Sequence, residues 1–595
     1  MSDLSVLASA ELHLGALSPN VASTPRPGTY RVPYTRNRYI RVVSGNNSSR
    51  ARQRTAHTLG AMDILPQSQL SPIHWALKVG LVVVGFPLLA LLVWVARRDR
   101  RLDKIPGPKG SLITGIGLDL PPNALQKFRE WADEYGEIYK IRLGWYTWVV
   151  LSSPEAVKEV LDKQSVSTSS KLATPMAELV VGGMRMVTMP YDAKWRKYRT
   201  ICHNLLTPKM TAAMLPIQTQ EIGQLLYDLA FRSSEDFVFR EHINRTIFSI
   251  MMKTVYGRRI RGKDDEDIKN MVESSKILGR LVRAGAFIED SFPPLADLPE
   301  WLQPSRKRAL KLAEFILWVK MRTWNILKDQ VAKGVAPDCY AAQMINANWY
   351  QQGLMDEDLA WLAGGLVEAG SHTSIQTVVN LIFYMAATPE VQKKVAAEVE
   401  SVIGTSRTPN MDDVPNLPYV FSCVKEILRL CPVPPWSIRH FTDADVTYKG
   451  VVIPKGTALA CNTVALHFDK ERFPDPFAFK PERYAEYQRS SLDYSALPDP
   501  NDRDHFCFGA GRRICPGIRF TENNMCLILA SLIWAFEIKP AVTLVNGKEE
   551  EIPLNLSEDA FDPYPLRAPK PFRVRFLPRS EERAHIIEST CNVVE

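Results

Sequence analysis

The sequence predicts a mainly α-helical domain with small β-sheets, preceded by a single transmembrane helix. Three observations carry this expectation. Apolar residues recur with a helical period through most of the body, most plainly from Asp356 to Ala387. Apolar–polar alternation is confined to a few short hairpins. One charge-free apolar run, Val79–Ala96, precedes all of them. The composition suits a large buried core, since 46% of the 595 residues are hydrophobic and 23% charged. The net charge of +8 is modest for this length, and no Lys/Arg-rich block with interleaved aromatics appears in the body. Nucleic acid is therefore not an expected partner, while a local basic face for an acidic protein or an anionic membrane stays open. The nine cysteines are scattered and form no C-x-x-C pair, which points away from a disulfide framework or zinc site and toward a reducing compartment.

Residues 1–61 are rich in Ser, Pro and Arg, poor in acids, and lack core-forming periodicity. Three readings fit: an organelle transit peptide, a disordered tail, or translation from Met62, which would place the apolar run near the start. Residues 1–72 are accordingly expected to be a disordered basic extension. Residues 73–96 follow as a transmembrane anchor: with Ile73–Lys78, the run VGLVVVGFPLLALLVWVA approaches the ~20 residues a spanning helix needs. It also lacks the polar stripe of a core helix, and Pro87 is tolerable as a kink. The basic cluster Arg97, Arg98, Arg100 and Arg101 keeps the following chain cytosolic by the positive-inside rule. Residues 97–110 are thus a stop-transfer segment and a hinge, KIPGPKG, whose prolines fix φ and stiffen it. Residues 111–578 form one α-rich domain, with hairpins at Glu137–Glu155, turning near Gly144, and at Val446–Thr457. Residues 579–595 are a polar tail.

The chemistry is concentrated in Phe508–Gly517, FGAGRRICPG, which fits F-x-x-G-x-R-x-C-x-G through Phe508, Gly511, Arg513, Cys515 and Gly517. Cys515 is a soft anionic donor able to push electron density onto a haem iron and favour O–O cleavage. Gly511 and Gly517 let the backbone pass close to a flat macrocycle. Backbone N–H groups turned toward the sulfur would stabilise its charge. Phe508 shields the sulfur, and Arg513 can pair with a haem propionate.

With these residues in view the chain resembles a cytochrome P-450 of the microsomal fungal type, over nearly everything from the hinge to about Pro578. The resemblance implies the P-450 fold, an α-rich prism around a buried haem b (iron protoporphyrin IX). It also implies a supporting set. Glu426 and Arg429 form E-x-x-R on one helix face, and Arg483 in FKPERY joins them in a buried network that locks the haem-side core. Trp195 and Arg199 match W-x-x-x-R, whose members donate to a propionate. Arg439 aligns with a third propionate contact, with His440 as the one-residue alternative. In AGGLVEAGSHTS the segment resembles the family's oxygen-binding helix through Ala369, Gly370, Thr373 and Ser374. There Ala–Gly leaves room for dioxygen, and Thr373 helps deliver the protons that O–O cleavage needs. The departure is His372, which stands where the family usually has an acid. An imidazole can relay protons or be a tolerated replacement, and Glu368, one turn earlier, can supply the missing carboxylate.

The resemblance further implies an apolar pocket roof, with Leu179, Val180, Val181, Met184, Leu366 and Phe561 as candidates, and hence a lipophilic small-molecule substrate. No flavin or nicotinamide fingerprint follows the haem domain, so electrons come from NADPH through a separate diflavin cytochrome reductase. Lys194, Arg196, Lys197 and Arg512 are the candidate docking face for its acidic flavin domain. The implied activity is an O2-dependent monooxygenase of fungal secondary metabolism at the endoplasmic reticulum membrane, single-pass, with a cytosolic catalytic domain. A haem-thiolate isomerase or dehydratase working without a reductase is the alternative, and a non-catalytic haem sensor comes third.

Overall fold

The structure is a computed structural model that describes residues 31–34, 38–41, 85 and 99–592, apart from short stretches at 112–113, 118–119, 122–123, 233–238, 263, 282–285, 348, 435 and 563–566. The chain divides into two compact units, 1–68 and 69–595. In the first, Arg31–Tyr34 pairs antiparallel with Arg38–Arg41. Apart from residue 85, the apolar run at 73–96 lies outside the described residues. Among the described residues no helix is long and apolar enough to cross a membrane.

The second unit is mostly helical with small sheets. Its largest sheet has five strands in the order Ile138–Leu143, Tyr146–Leu151, Ala458–Cys461, His440–Phe441, Ser170–Lys171. The expected hairpin forms between the first two, and Gly144 turns it at φ +58°. A side chain at 144 would also meet the Ser291 carbonyl oxygen at 2.6 Å, so both backbone and space require glycine. Alternate residues serve both faces: Val149 and Leu151 join one apolar cluster, Trp148 and Val150 another. The second expected hairpin pairs Val446–Tyr448 with Val451–Ile453. The hinge segment is held against the domain. Leu102 and Ile105 are buried in the first of these clusters, and the Pro106 carbonyl accepts the Lys140 N–H at 2.8 Å. The polar tail carries a helix, Glu581–Asn592, whose Ile587 is buried and whose Arg583 donates to the Trp534 carbonyl at 2.9 Å.

One helix, Asp356–Ala387, runs through the middle of the unit and packs against Phe239–Tyr256, Arg306–Ala332 and Ile518–Ala535. Three acids in its first turn complement the helix dipole, and Asp358 accepts the Met355 N–H at 3.0 Å. It is apolar nearly all round, as a central helix must be. The two largest cores divide along it. One takes its residues from Leu359 to Val367, the other from Val378 to Ala386. The seam between them contains Glu368, Ala369, His372 and Thr373, and at that seam Ala369 is exposed in the middle of an otherwise buried helix.

Candidate active site

The cysteine loop is shaped by glycines. Gly509 and Gly511 take φ of +75° and +64°, conformations that L side chains rarely adopt. A Cβ on Gly511 would also lie 2.1 Å from the Leu161 carbonyl oxygen. The Gly511 N–H donates to Asp162 Oδ1 at 2.6 Å, and the Cys515 N–H to the Phe508 carbonyl at 2.9 Å, closing the loop. Gly517 differs from expectation: its φ is an ordinary −94°, and it precedes the helix Ile518–Ala535. Its contribution is its N–H, which bonds the sulfur of Cys515. Of the eight cysteines whose side chains are described, only Cys515 is not buried. Burial still pushes its thiol up, against the opposing pull of the Gly517 N–H and the Arg199 charge. A coordinated metal ion reverses that balance, because it deprotonates a coordinating thiol.

Trp195 and Arg199 share the helix Ala193–Leu205, which Asp192 caps by accepting the Trp195 N–H at 2.7 Å. The Trp195 indole Nε1 is buried without a partner. Arg513 lies over the Trp195 ring, 4.2 Å from its centroid. It donates to the carbonyls of Ser169, Met186 and Met189 at 2.6, 3.1 and 2.5 Å, so it is anchored to backbone by three of its five N–H groups. Burial, helped by the Arg199 charge, pushes its guanidinium down to about 9. Since guanidinium stays charged in proteins, two repelling cations beside an orphaned indole N–H form a cradle for an anion. Lys171, which sequence reasoning missed, adds to it. It is buried on the edge strand, donates to the Ile438 carbonyl at 2.8 Å, and is held far below the usual lysine range by burial and by Arg513. No local motif marks it, since its strand has only two residues. Arg439 stacks on Trp148, 5.4 Å from the ring. His440 sits inside the sheet with Nδ1 2.8 Å from the Thr168 carbonyl, and burial holds it well below the ordinary imidazole range.

On the central helix the Thr373 hydroxyl donates back to the Ala369 carbonyl at 2.7 Å. Gly370 departs from its expected role. Its missing side chain accommodates Met251, whose Cε would lie 2.5 Å from a Cβ, and Ala369 is the residue facing open space. Glu368 accepts from Arg185 at 3.0 Å and Lys320 at 3.2 Å. Burial pushes its carboxyl up, but these two cations outweigh that and hold it below its usual value. His372 stacks edge-on against Phe248 at 5.3 Å with its Nε2 buried and unpartnered. Burial lowers its imidazole, Glu368 opposes this, and Lys320 and Lys276 reinforce it.

Glu426 and Arg429, on the helix Pro418–Leu430, are fully buried and bidentate at 2.7 and 2.8 Å. Arg429 also donates to the carbonyls of His467 and Pro476 at 2.7 and 2.8 Å. Arg483 reaches Glu426 at 3.3 Å. Among the four basic residues considered for docking, Lys194 pairs with buried Asp358 at 2.5 Å and Lys197 bonds the Gln352 carbonyl. Arg196 and Arg512 both stack on Tyr191, at 5.6 and 5.4 Å.

A haem fits these residues: a cysteine presented by a glycine-shaped loop, an anion cradle with an orphaned donor, and an exposed alanine beside a threonine on the central helix. Known proteins agree. The family model for cytochrome P450 matches residues 105–556. The "Cytochrome P450 monooxygenase pgmC" of Aspergillus terreus is 44% identical over 510 residues, covering 85% of this chain and 92% of its own. The corresponding verL of Clonostachys rogersoniana is 33% identical over 524 residues, with 85% and 94% covered. The virE protein of Hypocrea virens is 34% identical over 510, with 84% and 91% covered. On site and comparison together, this chain belongs to the cytochrome P450 family.

Proposed function

We propose that this chain is a haem-thiolate monooxygenase with Cys515 as the iron ligand. One oxygen atom of O2 enters a lipophilic small molecule and the other leaves as water, with two electrons from NADPH through a diflavin reductase and two protons from solvent. The observation that carries the reading is Cys515 itself, the one described cysteine side chain outside the buried set, held in a glycine-shaped loop opposite no sulfur partner. Similarity to proteins named cytochrome P450 monooxygenases supports the reaction class.

Bound haem supplies the redox-active iron at which oxygen is activated. The chain supplies the rest. Cys515 would supply the thiolate ligand, with the Gly517 N–H tuning the sulfur and Phe508 beside it. Trp195, Arg199, Arg513, Arg439 and Lys171 would hold the propionates. Ala369 leaves space on the distal side. Thr373 turns its hydroxyl from the Ala369 carbonyl to pass a proton, and His372, with an unpartnered Nε2 and the Glu368 carboxylate one turn away, relays protons toward it. Residues 111–578 are the catalytic domain, and residues 73–96 anchor it to the endoplasmic reticulum membrane with the domain cytosolic. Arg196 and Arg512, which stack on Tyr191 while Lys194 and Lys197 are engaged by Asp358 and the Gln352 carbonyl, lead the docking face for the reductase. A fungal secondary-metabolite pathway is the proposed setting.

The deciding experiment is the absorption spectrum of the reduced, carbon-monoxide-bound protein beside Cys515→Ser. The thiolate-type Soret band is expected in the wild type alone. The same spectrum in both proteins would refute the assignment.

A further inference from the structure

Glu426 and its neighbour Lys425 turn to different tasks. Lys425 is completely buried, and its ammonium lies 2.5 Å from Asp504, 3.3 Å from the Ser491 hydroxyl and 3.8 Å from Glu522. A fully buried lysine is tolerated only when paired and hydrogen-bonded. These partners come from three other segments, and two of them bracket the cysteine loop: Asp504 precedes Cys515 and Glu522 follows it on the helix Ile518–Ala535. Both ends of the loop are thus tied to one ammonium.

The contacts also count protons. The Ser491 Oγ is 2.5 Å from Asp504 Oδ2 and 2.6 Å from Glu522 Oε1. A hydroxyl has one hydrogen, so it serves one of these contacts, and the other needs a proton carried by a carboxyl. Burial raises the Glu522 carboxyl, whereas the His505 and Lys425 charges and the Ser491 hydroxyl hold Asp504 well below the carboxylate range despite its burial, so Glu522 is the better proton holder of the two.

From this cluster a chain of contacts leads to the sulfur. The His505 backbone N–H donates to Asp504 at 2.8 Å, and its Nε2 lies 3.3 Å from the Ser491 hydroxyl. Its Nδ1 accepts the Cys507 N–H at 3.4 Å, and its ring lies 5.5 Å from that of Phe508. The Phe508 carbonyl accepts the Cys515 N–H. We propose that Lys425, Asp504, Ser491 and Glu522 are positioning residues for the cysteine ligand, holding His505 against Phe508 and so fixing the loop that presents Cys515. The proposal rests on the reading of Cys515 as the iron ligand. A loop free to shift would change the N–H field at the Cys515 sulfur, and with it the thiolate character and reduction potential of a bound haem.

The test uses the full-length holoenzyme and reads the haem midpoint potential and the carbon-monoxide spectrum. His505→Phe keeps an aromatic ring beside Phe508 and removes both ring-nitrogen links. Its midpoint potential is expected to move from the wild-type value at unchanged haem content. Lys425→Met is expected to lose at least half of the thiolate-type band, and Lys425→Met/Asp504→Asn, which removes the stranded carboxylate, to regain it. Should Lys425→Met fail to fold, His505→Phe decides alone. Wild-type potential and wild-type band in His505→Phe overturn the proposal. A wild-type protein without the thiolate-type band would instead overturn the reading of Cys515.

Discussion

Two helices pass the candidate haem site, and they are furnished in opposite ways. On Pro418–Leu430 every buried polar side chain has a partner: Ser422, Lys425, Glu426 and Arg429 all make hydrogen bonds within 3.3 Å. On Asp356–Ala387 five buried polar atoms lack one, at Trp361, Ser371, His372, Gln376 and Asn380. Orphaned buried polar groups are rare and costly, so the contrast marks a division of labour. The cysteine side is a finished frame whose geometry must not change. The central helix keeps unfilled hydrogen-bonding capacity, on the side proposed for proton delivery. Rigidity serves the ligand bond, and spare donors and acceptors serve the transfer steps.

The hardest way to break this contrast is to open the frame. Arg429→Ala leaves Glu426 as a buried, half-compensated carboxylate, at a cost on the order of 3–5 kcal/mol. Haem-loaded protein should be almost lost in expression trials, and a stable, fully loaded variant would show the frame to be dispensable. A pH series tests the same side next. Burial holds His505 down at about 4. The unfolded chain protonates this ring near 6.5 while the native one does not until about 4, so acidification favours unfolding. Stability is full above about 6.5 and falls by about 3 kcal/mol on the way to pH 4 from this group alone. Denaturant midpoints across that window should fall less steeply in His505→Phe.

The distal side should respond in chemistry more than in stability. Thr373→Ala removes the hydroxyl but leaves a good helix former, so unfolding should shift by no more than about 1 kcal/mol. NADPH consumption should persist while product falls and hydrogen peroxide rises. An unchanged ratio of product to peroxide would take Thr373 out of proton delivery. His372→Ala should leak peroxide to a smaller degree, and His372→Asp should recover coupling. Equal leakage in the two variants would reduce His372 to packing against Phe248. Smallest of all, Trp195→Phe deletes one donor from the anion cradle and should weaken haem retention roughly tenfold, about 1.4 kcal/mol, measured by transfer of haem to apomyoglobin.

The parts of the site that were legible in the sequence are those whose chemistry is contiguous. Cys515 could be found because its glycines, Phe508 and Arg513 stand within one short loop. Thr373 and Glu368 could be placed because one helix carries them at a readable period, and the two hairpins followed from alternation around Gly144 and within Val446–Thr457. What escaped is assembled from distant segments. The Lys425 cluster draws on residues from four places in the chain, none with a local signature. Gly370 looked like room for a ligand, but its neighbour is Met251 of another helix, and packing partners cannot be read from the glycine. The carbonyls that hold Arg513 belong to Ser169, Met186 and Met189, and backbone acceptors leave no trace in residue identity. The docking of Leu102 and Ile105 on the sheet also escaped, because two apolar residues are too few to form a pattern.

Gly364 has a consequence for anyone re-engineering this enzyme. It lies one turn before Glu368, and a Cβ there would stand 2.5 Å from Cδ and 3.3 Å from Nζ of Lys320. The lysine stem reaches Glu368 through the notch this glycine leaves. A single added methyl would push the flexible stem aside and uncouple the ammonium from the carboxylate, with no charged residue altered. Position 364 is therefore a mechanical dial on an electrostatic contact, and a library built by varying only the ionisable residues of the distal side would never turn it.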